Sequence, residues 1–209
     1  MIGVILPTRG LVYTRVEDAI EKMRETEKIK VFRSHDLPIP EAQNFLVQQA
    51  LLEDVTHLFF IEEDTVPSPL ALKALLMADT DIACIDYAVN GYSCVAKDKD
   101  TGEVLWCGFG CTLVRKEVFY AMERPWFRVD KTLRLNDWQW VDNPAKYGGQ
   151  DIWFSMKARE KGFTIKQLPG ECVHLQFVEV GRREANNGLH KIVEREKISV
   201  QQIVERAVI

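Results

Sequence analysis

Three adjacent carboxylates, Glu62-Glu63-Asp64, follow directly on the apolar run His57-Leu58-Phe59-Phe60-Ile61. Carboxylates this close repel one another, and a cation or a polar ligand among them relieves the repulsion. Unliganded, the same residues would serve as a solvated acidic turn. The apolar run favours the first reading, because ligands of open parallel sheets bind beyond the carboxyl ends of the strands. A further carboxylate, Asp151 in Gly148-Gly149-Gln150-Asp151, falls at the first turn of an expected helix, where the helix dipole favours negative charge. It reads either as a plain cap or as part of a site that the two glycines let a ligand approach closely. His174, in Cys172-Val173-His174-Leu175, is a ligand candidate only if those carboxylates share its crevice; otherwise it is structural.

The elements that must position these groups are regular in the first half of the chain. Ile2 to Leu6 is an apolar run suited to a strand buried on both faces, and Pro7-Thr8-Arg9-Gly10 ends it. Thr14 and Glu17 have capping-box spacing, with Val16, Ile20 and Met23 at helical intervals behind them. A strand is expected over Ile29–Phe32, a proline-containing loop over 35–40, a helix over 41–53 and a strand over 57–61. Ser68 reads as the cap and Pro69 as the first residue of an apolar helix to Ala78, and Asp81–Tyr87 as a fourth strand. Strands alternating with helices imply an α/β fold with a mostly parallel central sheet flanked by helices.

The second half is less regular. A hairpin is expected around the polar turn 97–102, then Gly108-Phe109-Gly110-Cys111 leading into a strand over 112–114 and a short helix over 115–122. Residues 124–147 are Trp-rich without a period. A helix opened by Gly148-Gly149-Gln150-Asp151 and running through Lys161 with Gly162 as its cap, a strand over 163–168 and an amphipathic helix over 188–209 complete the reading. The division expected is a domain over 1–187, with halves 1–90 and 91–187, followed by that helix.

Composition narrows the classes. The 209 residues are 46% hydrophobic and 28% charged, which excludes a disordered chain, and the net charge of −4 argues against bulk nucleic-acid binding. No apolar run approaches the roughly 20 residues of a membrane span, and MIGVILPTRG reads as a strand, not a signal peptide. Five cysteines without CxxC spacing read as free thiols in a reducing compartment, so a soluble, cytoplasmic protein is expected.

Four segments, in order over about residues 2–176, resemble the GT-A glycosyltransferases, above all small members of glycosyltransferase family 2. They are Pro7-Thr8-Arg9-Gly10 after the first strand, Phe59-Phe60-Ile61-Glu62-Glu63-Asp64, the Gly-rich stretch Cys107 to Phe119, and Gly148-Gly149-Gln150-Asp151 through Gly162-Phe163. The resemblance implies a single GT-A domain that moves a sugar from a nucleoside-diphosphate sugar to an acceptor hydroxyl. It implies Asp64 and His174 as ligands of Mn²⁺ or Mg²⁺, and Asp151 as the general base of an inverting reaction. Pro7, Thr8, Arg9, Asp36, Glu62, Glu63, Gly108, Gly110 and Gln150 would contact substrate. Glu62 stands where the family has Asp, and Gln150 where it has Glu.

Trp138 and Trp140, with Trp126 and Trp153, are candidates to stack on sugar faces or to pack as ordinary aromatics. The acceptor class stays open, from glycan or lipid to modified DNA. A nucleotidyltransferase and a non-catalytic nucleotide-sugar-binding module are the competing readings. For the C-terminal helix, packing on the domain, a homodimer contact and a peripheral membrane contact are all open.

Overall fold

A computed structural model describes residues 1–146 and 148–175. The helix expected over 188–209, with the contacts considered for it, lies outside the described residues.

Strand β1 (Ile2–Leu6) is buried along its whole length, as an all-apolar run in a two-sided sheet must be. Helix α1 (Thr14–Arg24) leads to β2 (Ile29–Arg33), parallel to β1, and α2 (Ile39–Ala50) leads to β3 (His57–Ile61), parallel to the other edge of β1. Next come β4 (Thr65–Pro67), α3 (Ala71–Met77) and β5 (Ile82–Ile85). Two small hairpins follow, β6 (Ala88–Val89) with β7 (Tyr92–Ser93), and β8 (Val95–Lys97) with β9 (Val104–Cys107). Then come β10 (Cys111–Arg115), α4 (Lys116–Ala121) and the hairpin of β11 (Lys131–Arg134) and β12 (Gln139–Asp142). Helix α5 (Gln150–Glu160), β13 (Ile165–Leu168) and β14 (Cys172–His174) complete the described elements.

The central sheet runs β13-β5-β10-β3-β1-β2. Every strand points the same way except β10, which is inserted between β3 and β5 and pairs antiparallel with both. Alternation along β3 divides the core between the two faces of the sheet. Phe60 joins Phe109, Phe119, Trp126, Phe127 and Phe154 on one face. Phe59 and Ile61 join Val16, Ile20 and Met23 of α1 and Leu72 and Leu75 of α3 on the other. The ring of Phe154 stacks on Phe127 at 4.9 Å, which joins α5 to the aromatic core on that face.

Several local expectations are corrected. Tyr13, not Thr14, caps α1, and Glu17 instead makes a paired ion bridge to Arg33 of β2. Helix α2 begins at Ile39, using Pro40 in its first turn, where a missing N–H is harmless. Leu70 caps α3, so neither Ser68 nor Pro69 has the role its type suggested. The patternless 124–147 stretch contains the β11–β12 hairpin.

Candidate active site

The site is built where the carboxyl end of β3 meets the amino end of β10, since Cys111 pairs with Ile61 in the antiparallel register. Directly beyond β3, the chain turns through Glu62-Glu63-Asp64 into β4. Thr65, fully buried, holds that turn: its Oγ1 accepts from the Glu62 N–H at 2.9 Å and lies 2.9 Å from the Gly110 carbonyl, to which it donates. β14 then pairs antiparallel with β4, with His174 opposite Thr65. The Leu175 N–H donates to the Asp64 carbonyl at 2.7 Å, and His174 Nε2 lies 3.4 Å from Asp64 Oδ2.

Glu62, Asp64 and His174 each place a ligand atom within 4.8 Å of the other two. Two carboxylate oxygens and an imidazole nitrogen so spaced form a donor set that fits a divalent cation such as Mn²⁺ or Mg²⁺. Glu63 takes no part. It turns to the loop after β1, where it accepts from the Arg9 backbone N–H at 2.8 Å and from Arg9 Nε at 2.6 Å. Burial and the neighbouring charges of Asp151, Asp64 and Glu63 push the Glu62 carboxyl up to about 8. Burial raises Asp64 as well, against the opposing pull of His174.

Asp151 stands at the amino end of α5, just past Gly149, whose φ of 81° is the left-handed conformation that suits glycine. One carboxylate oxygen, Oδ2, accepts from the Phe109 N–H at 3.3 Å, while the buried Oδ1 has no partner. Burial pushes this carboxyl up to about 7, against the lowering effect of that N–H and of the Gln43 side chain. Asp151 is the strongest of the charges that raise Glu62, so the two acidic groups share one region of the molecule.

The remaining expected residues divide by what they touch. Pro7 is buried, and Thr8 is tied into the structure, its Oγ1 accepting from the Gly10 N–H and donating to the Leu11 carbonyl and its N–H donating to Ser34 Oγ. The Arg9 side chain is 69% exposed although it is paired to Glu63. Asp36 is exposed near Gly10, in a left-handed conformation. Gly108 and Gly110 face Tyr87 rather than open space: a Cβ on either would lie 2.6 Å from Tyr87 Oη or Thr65 Cγ2 respectively. Their backbone groups are also engaged, by Cys94 and Thr112 at Gly108 and by Tyr87 and Thr65 at Gly110. Gln150 is half-buried at the first position of α5. Trp138 is half-exposed beside Trp106, and Trp140 packs against Trp153 at 4.8 Å. Trp126 is in the core, where its indole N–H donates to the Phe119 carbonyl, so it has no face to offer a sugar.

Gln43, Thr65 and Tyr87 belong to this region and were not singled out from the sequence. Thr65 is adjacent to the acidic triplet, which was a usable signal; Gln43 and Tyr87 come from distant elements and had none. Beside Asp64 and His174 opens a cleft of about 540 Å³, lined also by Arg9, Leu11, Tyr13 and Asn90.

An α/β sheet with one antiparallel insertion and an acidic, metal-compatible turn beyond β3 is the GT-A glycosyltransferase fold. Solved structures of this class superpose on most of the chain. A197 from STIV is 18% identical with a TM-score of 0.58, covering 84% of this chain and 86% of that one. GalNAc-T7, crystallised with UDP, GalNAc and Mn²⁺, is 12% identical with a TM-score of 0.52 and covers 86% of this chain but 44% of its own. S. aureus TarS in complex with UDP-GlcNAc is 15% identical with a TM-score of 0.51, over 86% of this chain and 59% of that one. A comparison with protein-family profiles finds no match, and neither does one with curated protein sequences.

Proposed function

We propose that the protein is a metal-dependent, inverting glycosyltransferase that moves a sugar from a nucleoside-diphosphate donor to an acceptor hydroxyl. The observation that carries this is the convergence of Glu62, Asp64 and His174 with the separately held Asp151. The neighbours crystallised with UDP or UDP-GlcNAc make uridine diphosphate sugars the first donors to test.

Glu62, Asp64 and His174 would hold Mn²⁺, with Mg²⁺ tolerated. A divalent ion there supplies Lewis-acid stabilisation of the negative charge that develops on the departing diphosphate. Asp151 is held at one oxygen by the Phe109 N–H, which leaves Oδ1 to accept the proton of the attacking hydroxyl. A raised carboxyl suits that task, because a general base works best when its pKa lies near the operating pH. Trp138, in the β11–β12 turn, and Trp140, in β12, are the side chains proposed to stack on the acceptor.

The test is release of UDP from a panel of UDP-sugars with Mn²⁺ and methyl glycoside acceptors. Asp151→Asn should lower turnover by roughly 10²–10⁴-fold while UDP binding persists; wild-type rates in that variant would end the assignment. The substitutions relative to the family, Glu62 for Asp and Gln150 for Glu, favour a binding module as the second reading. Metal-dependent UDP binding without any turnover would select it.

A further inference from the structure

Trp153, Lys157 and Glu160 of α5, with Lys161 at its C-cap, form a stripe at helical spacing. Trp153 lies about 200° around the helix from Asp151, so the stripe faces away from that carboxylate. It forms one wall of a second cleft, of about 370 Å³, whose facing wall includes Met122, Arg124 and Arg128 from the end of α4 and the loop after it. Four cations thus share one cleft in a chain whose net charge is −4. Two of them are answered internally. Arg128 lies over the Trp153 ring at 4.9 Å and pairs with Asp130, and Lys157 lies over the same ring at 5.2 Å and donates to Glu160 at 2.6 Å. Arg124 lies over Trp126 at 4.7 Å, and neither it nor Lys161 makes an ion pair among the described residues. A lysine in the last turn of a helix answers the helix dipole and needs no ligand. Two arginines brought onto the same cleft from the facing loop are not explained in that way, because like charges at close quarters repel and an anion relieves them. The exposed Glu123, which also lines the cleft, offsets one of these charges and not the rest.

We propose that this cleft binds a phosphomonoester, with Arg124 and Lys161 as its charged ligands. A phosphoryl group offers three acceptor oxygens and a charge of about −1.5 to −2 at pH 7. Two oxygens meet the planar fork of Arg124, and the third meets the ammonium of Lys161. A carboxylate, with one charge and two oxygens, leaves one of the two cations unanswered. Arg128 and Lys157, held on Trp153 with their own acids, keep the surroundings positive. Met122 and the Trp153 ring supply apolar surface for the carbon portion of the ligand. Because the walls come from α5 and from the loop after α4, the bound phosphate ties together the helix that begins beside Asp151 and that loop. The site is separate from the cleft beside Asp64, and it needs neither the metal nor sugar transfer.

The experiment compares the full wild-type chain with the double variant Arg124→Gln/Lys161→Gln, in EDTA so that no metal draws phosphate to the acidic turn. The probes are inorganic phosphate, glycerol 3-phosphate, and phosphatidylcholine vesicles with and without phosphatidic acid; acetate and chloride at equal ionic strength are the controls. Glycerol 3-phosphate at ten times its dissociation constant should raise the wild-type Tm by about 3–6 °C, and acetate and chloride should not. In the double variant its affinity by calorimetry should fall at least about 10-fold, because the charge-assisted bonds to two cations are gone. The ligand-free Tm should stay within about 2 °C, as for other exposed substitutions. Binding of glycerol 3-phosphate that the double variant loses upholds the site with a soluble phosphomonoester as its ligand. Binding confined to the phosphatidic acid vesicles, and lost in the same variant, upholds it with a lipid headgroup. Binding of inorganic phosphate alone, an equal response to acetate, no response to any phosphate, or undiminished binding by the double variant overturns the proposal. A wild type that binds no UDP with Mn²⁺ counts against the transfer reading and leaves these outcomes as they stand.

Discussion

Burial raises the carboxyl groups of Glu62, Asp64 and Asp151 together, and each is held where its charge is unfavourable unless a ligand answers it. For Asp151 the folded value of about 7 lies above the ordinary 3.8. A group whose folded pKa is raised contributes stability that is whole below its unfolded value and is lost as pH climbs through the folded one. The metal-free protein should therefore lose stability between about pH 4 and pH 7–8. Asp151→Asn, which keeps the shape and removes the titration, should be the more stable form at pH 8 and show a smaller difference at pH 5. Urea unfolding at both pH values in the presence of EDTA measures this, and an equal pH slope in variant and wild type would contradict it.

Positioning depends on two elements that carry little chemistry themselves. β14 brings His174 to Asp64 only by pairing with β4, and the Leu175 N–H to Asp64 carbonyl bond closes that ladder. The loop before β10 is packed on Tyr87 and Thr65 so closely that Gly110 has no room for a methyl group: a Cβ would stand 2.6 Å from Thr65 Cγ2 and 2.7 Å from Tyr87 Cζ. Gly110→Ala should cost about 1–3 kcal/mol, the range for overpacking a filled interior, visible as a lower urea midpoint at an unchanged m-value. The same strain would push on Thr65 and on the Glu62 turn that it holds, so Mn²⁺-dependent UDP binding should weaken in parallel. Unchanged stability would mean that the loop yields more easily than its contacts suggest.

At the scale of the whole molecule, a ligand that binds only the folded chain stabilises it by mass action. With UDP and Mn²⁺ at about 100 times their dissociation constant, the gain is about 2.7 kcal/mol, or roughly 5–10 °C in Tm for a chain of this size. UDP without Mn²⁺, or with EDTA, should give little of that shift. Asp64→Asn should remove it while leaving the ligand-free Tm close to wild type or above, since a half-buried carboxylate beside Glu62 and Glu63 is gone. A full shift in Asp64→Asn would detach the acidic turn from nucleotide binding.

Local patterns in the sequence determined which segments are buried, because all-apolar runs such as Ile2–Leu6 and His57–Ile61 have no other stable place, and they placed the acidic turn at the carboxyl end of a strand. They also marked Asp151 through the glycine-capped start of its helix. The tertiary structure alone decided that β10 enters between β3 and β5, that β14 zips onto β4 to bring His174 to Asp64, and that Gln43 and Tyr87 face the same site. These are contacts between residues up to about a hundred positions apart. Periodicity reports only what a residue's near neighbours require, whereas strand order and register are chosen by how the finished faces pack.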